Sequence, residues 1–204
     1  MDPFWLDSVK RVLSLAQNGL AYADNPYDIE RYEELRRLGG EMLARLADSP
    51  VETIVGLLSG ETGYQTPKVD IRGVVLRGER VLLVRERIDG FWALPGGWAD
   101  VGLSPGEVAV KEVREEANIE AAPVRLLAVL DKRFHDHPPS PFHTWKLFIL
   151  CEERGGQPAP GPETSEVGFF TPEELPPVSL TRNTPEQVRL VVRLATEGGA
   201  AVFD

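Results

Sequence analysis

The chain has 204 residues, 42% of them hydrophobic, enough for one solid core and a small second one. Its 32 acidic and 22 basic side chains give a formal net charge of −10 at pH 7, which argues against a nucleic-acid groove or a membrane surface as the main partner. The single cysteine, Cys151, excludes an intramolecular disulfide and fits a reducing compartment; its alternating apolar neighbours point to a buried structural thiol. No apolar run approaches a membrane span, and the opening MDPFWLDSVKR lacks the charge order of a signal peptide, so a cytoplasmic location is expected.

The N-terminal part reads as a separate helical unit. Asp2 and Pro3 should open a helix through Val9 and Leu13 that ends near Asn18 and Gly19. Asn25, Pro26 and Asp28 should open a second, with Ile29, Tyr32, Leu35, Met42 and Leu46 at helical spacing. Ser49, Pro50 and Glu52 have the form of a capping box for a third helix reaching Gly60. Three short amphipathic helices make a thin core and should pack on the rest of the chain or on a second subunit. The short polar segment Gly60 to Thr66 is the expected connection, placing a helical domain at residues 1–63 and a second domain at residues 64–204.

From Lys68 the pattern turns to strands. Val69–Leu76 and Arg80–Arg85 should pair across Arg77–Glu79, and Phe91–Leu94 leads into a glycine turn. Further strands are expected at Val124–Phe134, Thr144–Cys151 and Val167–Phe170, with a closing helix from Thr184 through Leu194 that Pro185 and Glu186 start well. Gly155–Pro162 reads as a flexible surface loop. Together these elements predict an α/β architecture, a mixed sheet flanked by helices.

The most informative stretch is Gly97–Ile119, GWADVGLSPGEVAVKEVREEANI. Ser104, Pro105 and Glu107 form a capping box that fixes a helix start. Glu112 and Glu116 then lie one turn apart with Glu115 beside them, while Val110, Val113 and Ala117 share an apolar face. Carboxylates crowded on adjacent turns repel one another, and a divalent cation removes the penalty; hard oxygen ligands suit Mg²⁺ or Mn²⁺ together with substrate phosphates. A solvated acidic surface helix is the plainer alternative for an isolated Glu-Glu pair.

Here the pair follows Leu94, Pro95, Gly96 and Gly97 after an apolar run, and the order strand, glycine turn, capped acidic helix resembles the Nudix hydrolases. Their signature is a glycine, a glutamate, then after a longer gap Arg-Glu, an aliphatic, any residue, Glu-Glu, any residue, glycine and an aliphatic. On this chain the glycine is Gly97 and the tail is Lys111 to Ile119. Three positions depart: Leu103 for the first glutamate, Lys111 for the arginine and Asn118 for the closing glycine. Asparagine also tolerates the left-handed conformation that ends a helix. The first two look coupled, since losing both partners of a bracing ion pair strands no charge; the implied consequences are a less rigid loop and a weaker grip on metal.

The resemblance implies an α/β/α sandwich and a metal-dependent pyrophosphohydrolase that splits a nucleoside diphosphate linked to another moiety. Glu112, Glu115 and Glu116 would hold Mg²⁺ or Mn²⁺. The general base is Glu166 in this reading, with Glu163 and Glu116 competing. Arg133, Lys146 and Arg182 are candidate phosphate partners, and Trp92, Phe134 and Trp145 candidate base-stacking residues, although strand aromatics are more often core. His135, His137 and His143 invite a zinc reading that lacks a nearby cysteine; a lid over the substrate fits their loop better.

The helical preface, ETGYQTPKVDIRGVVL and LPGGWADVG resemble a Nudix subgroup described as ADP-ribose or CDP-choline pyrophosphatases and often dimeric, which implies a homodimer. The proline that ADP-ribose hydrolases carry shortly beyond the box is not met, since Phe134, His135 and Asp136 stand there and Pro138 arrives late. The alternative from another class is a weakly active or non-catalytic nucleotide-binding sensor.

Overall fold

The computed structural model describes residues 3–58, 60 and 62–204. Asp2, at the expected opening of the first helix, lies outside them, as does Glu61 in the expected connection. The chain divides into two compact units, one running to Pro67 and including Pro139–His143, the other formed by Lys68–Pro138 and Thr144–Asp204.

The first unit holds α1 (Pro3–Tyr22), α2 (Pro26–Leu46) and α3 (Val51–Leu58). The first helix continues past Gly19 because that glycine is not a stop. A side chain there would meet the Tyr32 ring at 2.4 Å, so the glycine lets α2 cross closely. The second helix starts as expected, the Asn25 side chain accepting from the Tyr27 amide. Its buried stripe is Gly39, Gly40, Leu43 and Ala44; Leu43 and Ala44 pack with Leu6, Val9, Leu13 and Ile54, and Gly39 lies against Leu13. Leu35 and Met42, expected on the core face, are instead exposed together with Leu38.

The second unit is a mixed sheet between two helices. Its strands are β1 (Lys68–Arg77), β2 (Arg80–Glu86), β3 (Trp92–Ala93), β4 (Gly96–Trp98), β5 (Ile119–Asp131), β6 (Thr144–Gly156), β7 (Thr164–Phe170) and β8 (Val202–Phe203). Its helices are α4 (Pro105–Ala117) and α5 (Pro185–Glu197), with a 3₁₀ turn at Lys132–Phe134. The order β3-β2-β1-β6-β5-β8 has β4 on β1 and β7 on β2; β1 with β6 and β5 with β8 are parallel and the other pairings antiparallel.

Consecutive residues of the central strands face opposite sides, so both faces bury apolar groups. Ile71, Val75, Leu82 and Val84 pack on Val108, Ala109, Val113 and Ala117 of α4. Val74, Val81 and Leu83 pack on Val188, Val191 and Val192 of α5. This is the α/β/α sandwich.

The strand expected to reach Phe134 ends at Asp131, where the 3₁₀ turn takes over, and the third helix ends at Leu58 rather than Gly60; two further differences bear on the site. The strand expected from Val124 begins at Ile119, directly after α4, because a long pairing with β6 overrides the weak strand propensity of Glu120–Pro123; Pro123 is accommodated at a register shift. Gly155–Pro162 is not a free loop. Its first residues extend β6, and the rest is docked on the end of α4: Ala159 donates to the Ala117 carbonyl, Gly161 donates to Thr164 Oγ1, and that hydroxyl donates to the Glu116 carbonyl.

Candidate active site

The turn after β3 is held against β1 and the end of α4 by backbone geometry. Gly73 donates to the Pro95 carbonyl at 2.9 Å, and β4 lies antiparallel on β1 with Gly96 opposite Arg72. Gly96 has φ of 151°, and a Cβ there would lie 2.0 Å from the Ile71 carbonyl oxygen, so only glycine fits. Its amide then donates to Glu116 Oε2 at 3.0 Å. The capping box of α4 is complete, with Ser104 and Glu107 bonded reciprocally, and Asn118 closes the helix in the left-handed conformation with φ of 54°. The Asn118 side chain donates to the Gln157 carbonyl, tying the helix end to the docked loop.

Glu112, Glu115 and Glu116 line one pocket of about 330 Å³ together with Pro162 and Glu163. The three differ in environment. Glu116 is buried, Glu112 half-buried and Glu115 exposed. Burial pushes the Glu116 carboxyl up to about 7, with Glu86 and Glu112 adding repulsion against the opposing pull of Arg72 and the Gly96 amide. Burial also raises Glu112. Among the described residues, no group of three or more His, Cys, Asp or Glu side chains stands ready as a metal-binding set. A cation, Lys111, places its Nζ 3.4 Å from Glu112 Oε1 and 3.5 Å from Glu115 Oε2. It is not an unbraced departure from the box, because Asp100 Oδ2 receives it at 3.0 Å.

The other expected residues fall into separate places. Glu166 lies on β7, exposed, and accepts from Arg85 at 2.6 Å; it does not line the pocket that Glu163 lines. Lys146 is 1% exposed and pairs with Asp70 at 3.1 Å, and burial holds its ammonium down at about 8. Arg182 reaches Glu86 through two bonds of 3.2 and 3.3 Å. Arg133 pairs with Asp131 and lies over the Phe134 ring at 5.2 Å, and that ring is exposed. Trp92 packs edge-on against Phe170 beside the core, whereas Trp145 is exposed. His135 meets Asp204 at 3.2 Å and His137 meets the Leu180 carbonyl at 2.7 Å, so these two imidazoles do not converge on a common ligand. Cys151 is buried and bonded to the Ile149 carbonyl, its thiol pushed up to about 11 by burial, as a structural cysteine should be.

Sequence reasoning missed a buried group beneath the turn. Arg72 is 1% exposed, grips both Asp70 oxygens at 2.7 and 2.8 Å, and donates to the Leu94 carbonyl at 3.1 Å. Burial works against ionising Asp70, but Arg72 and Lys146 overcome it and hold the carboxyl well below the usual range. The available signal was two opposite charges two residues apart in an otherwise apolar strand, hence on one face. Asp100 and Glu86 gave no comparable sign, since their partners are remote in sequence.

Comparison with known proteins agrees with this geometry. A family model described as "NUDIX domain" matches residues 66–194, and one described as "UDP-X-like, N-terminal oligomerisation domain" matches residues 3–58. The chain is 48% identical, over 92% of its length and 90% of the relative's, to a Bacillus subtilis protein named "Putative ADP-ribose pyrophosphatase YjhB". It is similar to the crystal structure of a Streptococcus suis ADP-ribose pyrophosphatase, with 41% identity, a TM-score of 0.62, and coverage of 68% of this chain and all of that one. A UDP-X diphosphatase structure matches 98% of both chains at 32% identity and a TM-score of 0.65. The chain belongs to the Nudix hydrolase family and is a pyrophosphohydrolase that carries the UDP-X-like helical domain at its N-terminus.

Proposed function

We propose that the protein hydrolyses ADP-ribose, splitting its pyrophosphate into AMP and ribose 5-phosphate. The observation that carries this reading is the pocket in which the three box glutamates meet Glu163, one of them desolvated and repelled by its neighbours. ADP-ribose as the substrate is supported by the names of two relatives, one of them similar over nearly the whole chain. A second reading, a uridine diphosphate-linked substrate, is favoured by the UDP-X diphosphatase that matches both lengths. CDP-choline offers the same scissile bond and is the third candidate.

Glu112, Glu115 and Glu116 would hold Mg²⁺ or Mn²⁺, and the fit lies in their chemistry: hard oxygen donors lining one pocket, with charge that a cation would relieve. When bound, the ion supplies neutralisation of phosphate charge and acidifies a water. The chain's own residues do the rest. Gly96 fixes one oxygen of Glu116 and thereby orients the other. Glu163 fits the role of proton acceptor through its place in the pocket; Glu166, the earlier candidate, would first have to leave Arg85. Arg182 and Arg133 are partly exposed and would serve as phosphate partners, with Phe134 or Trp145 beneath the base. Lys146 would reach a phosphate only by leaving Asp70, and Trp92 would act through packing. The helices at residues 3–58 would join two copies in a homodimer.

The test is release of phosphorylated products from ADP-ribose, UDP-sugars, CDP-choline and diadenosine polyphosphates, with Mg²⁺, with Mn²⁺ and with chelator. Metal-dependent cleavage of ADP-ribose at the highest kcat/KM is expected. Higher kcat/KM on UDP-sugars would move the substrate to the second reading, and binding without turnover anywhere would favour a sensor.

A further inference from the structure

The proposed metal site has a cation of its own beside it, and a third carboxylate, Asp100, shares that cation with the glutamates. Lys111 Nζ lies 3.0 Å from Asp100 Oδ2, against 3.4 Å from Glu112 and 3.5 Å from Glu115. An ammonium carries three N–H donors on a flexible stem, and here it is shared, bonded to Asp100 and, at longer range, to Glu112. How strongly it binds each glutamate is set by how the three acids share it. Leu103 takes no part in that sharing; with Val110 and Pro123 it forms an apolar groove that Lys111 also lines, so the lysine stem has an aliphatic wall to lie along.

We infer that Asp100 is a positioning residue: by taking the shortest of the three bonds to the Lys111 ammonium, it loosens that ammonium's hold on Glu112 and Glu115, and so sets how tightly these carboxylates take a divalent cation. The inference rests on the metal reading above. A divalent ion arriving at Glu112 and Glu115 repels the ammonium, and Asp100 gives the ammonium a place to go. Without Asp100 the lysine's remaining partners are the two glutamates themselves, and the ion must displace it.

The experiment is titration of metal-free protein with Mn²⁺, free ion counted by electron paramagnetic resonance and no substrate present, on wild type, Asp100→Asn, Lys111→Met and the double variant. Both side chains are substantially exposed, 51% and 33%, so the fold tolerates all three changes. Asp100→Asn should raise the dissociation constant by about threefold to fivefold, as expected for exposed ion pairs. Lys111→Met should lower it, and in the Lys111→Met background the Asp100 change should have no further effect. A structural or direct-ligand role for Asp100 would weaken binding equally in both backgrounds and would overturn the inference, as would an unchanged constant in Asp100→Asn. Absence of Mn²⁺ binding in every protein would sink the metal reading itself and this inference with it, an outcome distinct from the other two.

Discussion

Glu116 joins two roles that ordinarily oppose one another. It is buried deeply enough to sit at about 7 against an ordinary value of 4.5, yet one of its oxygens is fixed by a backbone amide as if the group were meant to be charged. The folded pKa lies above the unfolded one, so the folded protein holds the proton more tightly. This contribution to stability is complete below pH 4.5 and is lost as pH rises through about 7. In metal-free protein, Glu116→Gln should therefore gain stability relative to wild type as pH rises over that window; parallel melting curves from pH 4.5 to 8 would contradict the assignment. Asp70 is the reverse case, a carboxylate held ionised between Arg72 and Lys146. Asp70→Asn should cost about 3 to 5 kcal/mol in urea denaturation, because it leaves two buried cations without their counter-charge.

At the scale of elements, what was legible depended on whether the deciding interaction was local. The capping box of α4, its left-handed end at Asn118 and the Asn25 cap of α2 are written in residues a few positions apart, and each is found. The start of β5, the short strands β4 and β8 and the docking of Gly155–Pro162 depend on partners far along the chain, and periodicity was silent about them. The box named the three glutamates together; that Glu163 and not Glu166 lines their pocket was not legible, because it follows from which end of β7 lies against α4. Gly161 carries that abutment, since a Cβ there would come within 1.8 Å of the Glu115 carbonyl oxygen. Gly161→Ala should push the loop off the helix end, lowering turnover by at least about tenfold, the scale of damage to groups that orient a site's ligands, with a smaller fall in melting temperature. Unchanged turnover would mean that the loop's seat does not position Glu163.

At the scale of the molecule, the two compact units differ in how well they bury their apolar groups. The sandwich encloses two clusters, one on each face of its sheet. The helical unit has a small core and leaves Leu35, Leu38 and Met42 exposed along one stripe of α2, with Phe4, Trp5 and Tyr27 also open. That surplus suits a partner surface. Light scattering on the full chain should give twice the chain mass, and Leu38→Glu should shift it toward the monomer; a monomeric wild type would contradict the homodimer. If the box glutamates of this chain hold the ion on which pyrophosphate hydrolysis depends, the Mg²⁺-dependent rate of AMP release from ADP-ribose must separate wild type from Glu116→Gln. A loss of at least about 100-fold in the folded variant is expected, since even the outer partners of metal ligands contribute about 10- to 100-fold; a rate within a few-fold of wild type would mean that Glu116 does not hold the ion.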